Sequence, residues 1–106
     1  MSREAQEAVK KLNRDFAAGE RSVFLRRVIP NSADGGRYIL GAYERTGEVT
    51  MSVSPWFFVA HDASADERPY SLHPPGSLFD LGEPVARLDT LEAAVFAGMM
   101  NFKRPD

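Results

Sequence analysis

Arg37-Tyr-Ile-Leu-Gly-Ala-Tyr-Glu-Arg45, Thr46-Gly47 and Glu48-Val-Thr-Met-Ser-Val-Ser54 read as two strands joined by a tight turn. Tyr38, Leu40 and Ala42 fall on one face of the first strand, Ile39 and Tyr43 on the other. In the second, Val49, Met51 and Val53 alternate with Thr50, Ser52 and Ser54, the pattern of a half-exposed antiparallel strand. The short turn makes them a hairpin. Pro55 has no N–H to give a ladder, so it should interrupt the pairing or mark a bulge or an edge. Trp56 to Ala60 then resumes an apolar strand.

Upstream, Ser22 to Ile29 reads as a further strand, ended by Pro30 and the turn-rich run Asn31-Ser-Ala-Asp-Gly-Gly36. Before it, Ala5, Ala8, Val9, Leu12 and Phe16 recur at helical spacing and predict a helix over Arg3–Ala18. Ser2 is its expected N-cap and Gly19 its stop. Downstream, residues 61–84 are the least regular part, with short strands expected around Tyr70–Leu72 and Leu78–Leu81. Asp89 should cap a last helix from Thr90 to about Phe102, with Glu92 three residues on as in a capping box. The fold class expected is α+β: one domain over 1–106, a central antiparallel sheet with a helix near each terminus, in the order α-β-β-β-β-α.

That last helix is apolar nearly all round. Leu91, Val95, Gly98, Met99 and Phe102 share one face, and Phe96 and Met100 project from nearly the opposite side. Such a helix is covered on more than one side. Either residues 61–84 fold back over Phe96 and Met100, or the two form an interface with a protein partner or a second copy.

In the strand at 22–29, Val23, Leu25 and Ile29 share a face, and Arg27 falls on it with them. A guanidinium is almost never buried without a partner, so Arg27 is expected to be buried against a carboxylate or a ligand's anionic group. It belongs to a basic end of the chain. Residues 1–30 carry seven Lys/Arg against four Asp/Glu, whereas residues 31–106 carry six against eleven. The whole chain has a net charge of −2, which gives too weak a basic footprint to favour nucleic acid.

The order of elements and several local matches resemble the Src-homology-two family. Ser2-Arg3-Glu4-Ala5 is similar to the opening of that family's first helix, and Phe24-Leu25-Arg26-Arg27 to its Phe-Leu-Val-Arg strand. Gly36-Arg37-Tyr38-Ile39-Leu40 and Leu88-Asp89-Thr90-Leu91 resemble the entries to its next strand and its last helix. The resemblance implies phosphotyrosine binding, with Arg27 clamping the phosphate and Arg3 assisting. Arg26 beside them completes the expected anion-binding set. Val28 and Ile29 stand where the family has an acidic residue and a serine.

Other chemistry finds little support. There are no cysteines, hence no disulfide or thiolate site, and His61, Asp62 and Asp66 match no metal-ligand spacing. No Gly-x-Ser-x-Gly elbow accompanies the histidines. His73, beside Pro74-Pro75, reads as an exposed loop residue. No catalytic residue, metal or cofactor is expected. No apolar run is long enough to span a bilayer, and the polar, acidic N-terminus is unlike a targeting peptide, so the expected location is cytoplasmic. The function expected is that of a non-catalytic protein-interaction domain, holding an anionic group through Arg27. Two alternatives stand beside it. One is a small mobile-element-encoded inhibitor docking on a larger host complex. The other is a small enzyme or ligand-binding protein with a cleft near His61 and His73.

Overall fold

A computed structural model describes residues 3–28, 38–46, 50–62, 67–76 and 82–103. Helix α1 (Arg3–Ala18) precedes strands β1 (Val23–Val28), β2 (Tyr38–Thr46), β3 (Thr50–His61), β4 (Tyr70–His73) and β5 (Ala86–Leu88), and helix α2 (Leu91–Asn101) follows. The strands form one antiparallel sheet in the order β1-β2-β3-β4-β5, which leaves β1 and β5 at its edges. The fold is α+β, with a helix near each end, as expected. The strands are partitioned differently, however. Among the described residues, 50–54 and 56–60 belong to one strand instead of two, and β5 stands where no strand is expected. Ala86-Arg-Leu88 is too short to show an alternation and is recognisable only by its pairing with β4. The expected turn at 31–36 and strand at Leu78–Leu81 lie outside the described residues.

Both helices lie on one face of the sheet. Val9 and Phe16 of α1 and Leu91, Ala94 and Val95 of α2 share a core with Leu25, Leu40, Phe57, Val59 and Leu72. Ile39, Phe58 and Ala60 are buried on the opposite face.

Helix α1 has the expected bounds, but its stop is not the expected one. Arg21 N–H donates to Phe16 C=O (2.8 Å) and Glu20 N–H to Ala17 C=O (3.1 Å), which is the Schellman pattern. In that pattern the left-handed residue is Glu20, at φ 58°, one position after Gly19. The chain thus turns back on a residue that has a Cβ.

Pro55 takes the form of a bulge. Ala42 pairs with Phe57 and Tyr43 with Pro55, so Trp56 is the extra residue of β3. The bulge sends Trp56 to the same core as Phe57, where its Nε1–H donates to the Phe102 carbonyl (3.0 Å) and ties β3 to the end of α2. On β2, the ring of Tyr43 lies over Gly41. A Cβ there would stand 2.7 Å from that ring, so the glycine makes room for the aromatic.

Thr90, not Asp89, caps α2. Its backbone is extended and its Oγ1 accepts from Ala93 N–H at 3.1 Å, leaving Asp89 outside the helix. Leu91, Ala94, Val95 and Gly98 are buried in the domain. Phe96 meets α1 instead, edge-on to Phe16 (centroids 6.2 Å apart) and beneath the Arg21 guanidinium (4.7 Å). That explains most of the two-sided apolar pattern. Among the described residues, no helix is long and apolar enough to cross a membrane.

Candidate functional site

Arg27 is exposed, which corrects the expectation of a buried arginine. Its face is the expected one: β1 pairs with β2 without a bulge, and Arg27 lies opposite Leu40 on the side of Leu25. Coverage is what differs. β1 is an edge strand, and burial ends between Leu25 (1% exposed) and Arg27. Arg26 is exposed on the other face, and Arg3 is exposed in the first turn of α1.

The hydrogen bonds of β1 show which way its peptides face. Arg45 N–H donates to Ser22 C=O, so by alternation Phe24, Arg26 and Val28 turn their polar groups to β2. Val23, Leu25 and Arg27 turn theirs to the open edge. At Leu25 that edge is closed by a side chain. Asn13 Nδ2 donates to Leu25 C=O (2.9 Å), and Leu25 N–H donates to Asn13 Oδ1 (2.8 Å). The carboxamide of Asn13 imitates a neighbouring strand for one residue. Nothing in the residue pattern singled it out, because a polar residue beside an apolar stripe is ordinary on a helix.

Asn13 also orients α1 about its axis. At about 100° per residue, Lys10, Arg14 and Arg3 fall within about 40° of one another, on the side of α1 away from the core, about 60–100° round from Asn13 and with Glu7 beside them. Glu4 and Asp15 fall on the opposite flank, where Asp15 pairs with Lys11 at 2.9 Å. The chain reverses between α1 and β1, so α1 runs back along the strand. From Asn13 to Lys10 is about 4.5 Å of helix, and from Leu25 to Arg27 about 6.6 Å of strand. Lys10 is therefore roughly level with Arg27, and Arg3 lies two turns beyond it. Arg27, Lys10 and Arg14 are all exposed, and none has an ion-pair partner among the described residues. Arg27 thus stands exposed on the edge strand, while the cations of α1 turn towards solvent.

The histidines are separated. His61 shares its face with Val59 and the helices, stacked on Tyr38 (4.8 Å) and against Tyr70 (4.8 Å), with Nδ1 buried and without a hydrogen-bond partner among the described residues. Burial foremost, then the charge and hydrogen bond of Tyr70, hold the Tyr38 hydroxyl well above its ordinary value near 10. His73 is not an exposed loop residue. It is 2% exposed within β4, opposite Phe58 on the other face, and its Nε2 is 2.8 Å from Ser71 Oγ. A single cleft holding both histidines is thus not formed. Among the described residues, no three His, Cys, Asp or Glu gather as a metal site.

Of the two residues assigned to a partner interface, Phe96 is half-buried against α1, and Met100 is 86% exposed. Phe16 of α1 covers Phe96. Comparisons with family models, curated proteins and solved structures give no match for this chain.

Proposed function

We propose that this chain is a non-catalytic protein-interaction domain that receives an anionic group of its partner at Arg27. The observation that carries this reading is the exposed Arg27, which has no ion-pair partner among the described residues, on a chain whose overall charge is negative. An exposed guanidinium at the sheet margin raises the local potential and steers anionic partners, while the acidic remainder disfavours extended polyanions. A guanidinium with no ion-pair partner among the described residues offers its planar fork to a carboxylate or phosphate.

Phosphotyrosine is the specific form that the Src-homology-two resemblance implies, with Arg27 as the clamp and Arg3 as its assistant. Titration with phosphorylated and unphosphorylated tyrosine peptides at matched salt tests it. Tighter binding of the phosphorylated form, lost in Arg27→Ala, supports phosphate recognition. Equal affinity for both peptides leaves a general anion site. No binding of any acidic peptide at low salt removes the reading altogether.

A further inference from the structure

We infer that the face of the sheet turned away from the helices holds a second anion site, where Arg26 and the Tyr43 hydroxyl, with Arg45 behind them, receive a carboxylate of an acidic partner segment. Arg26 and Arg27 are neighbours in β1 and stand on opposite faces, so the two cannot close around one anion. Charge is divided between the faces. Pairing and alternation set Arg26, Arg45 and Arg87 on the outer face, while Glu44, opposite Val23 of the core, stands on the helix side. Among the described strand residues the outer face therefore carries arginines and no carboxylate. None of these arginines has an ion-pair partner among the described residues.

Gly41 shapes the site. It lies directly across from Arg26 and has no side chain, and the Tyr43 ring fills the space over it. A Cβ on Gly41 would stand 3.0 Å from the Tyr43 hydroxyl oxygen, and side chains directly opposite in an antiparallel pair start about 5 Å apart. The hydroxyl is thus within reach of the Arg26 guanidinium. Phe24, two residues before Arg26, is the next side chain on that face, and the Arg45 guanidinium lies over its ring at 5.9 Å. A second cation thereby stands beside the neighbour of Arg26. A planar fork with a phenolic O–H next to it matches the two oxygens of a carboxylate. A second copy of this face would bring arginine against arginine, which is why the occupant is an acidic segment.

The test uses the full chain, labelled with nitrogen-15, and an end-blocked Gly-Glu-Glu-Gly peptide at low salt, beside its neutral counterpart Gly-Gln-Gln-Gly. The expected result is saturable binding of the acidic peptide alone, with resonance shifts at Arg26 Nε and the Gly41 amide. Affinity read at the Gly41 amide should fall more than tenfold in Arg26→Gln and about threefold in Tyr43→Phe, and should be unchanged in Arg27→Ala. Shifts confined to Arg27 and lost in Arg27→Ala overturn the second site and leave the reading of Arg27 standing. Equal shifts from the neutral peptide, or shifts at Gly41 that neither Arg26→Gln nor Tyr43→Phe weakens, overturn the assignment to these residues. Absence of shifts at both arginines overturns this site and the one at Arg27 together.

Discussion

Gly98 of α2 lies against the ring of Phe57 on β3, so close that a Cβ on the glycine would stand 2.4 Å from a ring carbon. Phe57 is fully buried and stacks on Phe102, so its ring has little room to retreat. Gly98→Ala gains about 1 kcal/mol of helix propensity but over-packs this contact, and the expected net loss is about 1–2 kcal/mol. Urea denaturation measures it. The partner substitution Phe57→Leu should relieve part of the loss in the double variant, and strict additivity would show that the contact is not the cause.

Glu20 occupies the left-handed position of the α1 stop, a conformation that costs a residue with a Cβ roughly 1 kcal/mol. Glu20→Gly should therefore raise stability by about 0.5–1 kcal/mol, whereas Glu20→Ala should not. A shift in the denaturation midpoint at constant slope is the readout. An unchanged midpoint for the glycine variant would place the strain elsewhere.

Asn13→Ala removes both bonds to the Leu25 peptide and should cost about 1–3 kcal/mol. Hydrogen exchange at the Leu25 amide should accelerate in the same variant by more than the global loss of stability explains. Asn13→Asp keeps an acceptor for Leu25 N–H but sets a carboxylate against Leu25 C=O, so it should not restore the wild-type value.

Tyr38 holds its proton more tightly folded than unfolded, because burial and Tyr70 both disfavour its phenolate. The sign follows from linkage. The folded-state value is raised, so the stabilisation is complete below the unfolded value near pH 10 and is lost as pH rises above it. Stability should fall above pH 10 in the wild type and fall less steeply in Tyr38→Phe. Phenolate absorbance should show one of the three tyrosines titrating last.

Phe96 and Met100 should behave differently although both lie off the sheet-facing side of α2. Phe96→Asp breaks the contacts with Phe16 and Arg21 and should destabilise the domain by about 2–3 kcal/mol. Met100→Glu should stay within about 0.5 kcal/mol of wild type, since that side chain is largely in solvent. Thermal denaturation of the two variants separates core from surface.

Local pattern alone determined the elements of this chain where its periods are long. Helical spacing from Ala5 to Phe16 located α1, alternation through Tyr38–Tyr43 located β2, and Pro55 marked the bulge, because steric and hydrogen-bonding limits act within a few residues. Alternation also assigned Arg27 to its face. Whether that face is covered at Arg27 was decided by where α1 and the sheet edge end, and by residues far away in sequence. The same holds for His73, which neighbouring prolines made look like a loop residue until pairing with Phe58 buried it. Phe96 is covered by a helix some eighty residues earlier in the chain, and Asn13 closes a strand that begins only after the chain has reversed. Periodicity states which side of an element is apolar. Only packing between distant elements decides what lies against that side, and so which charges are left free to meet a partner.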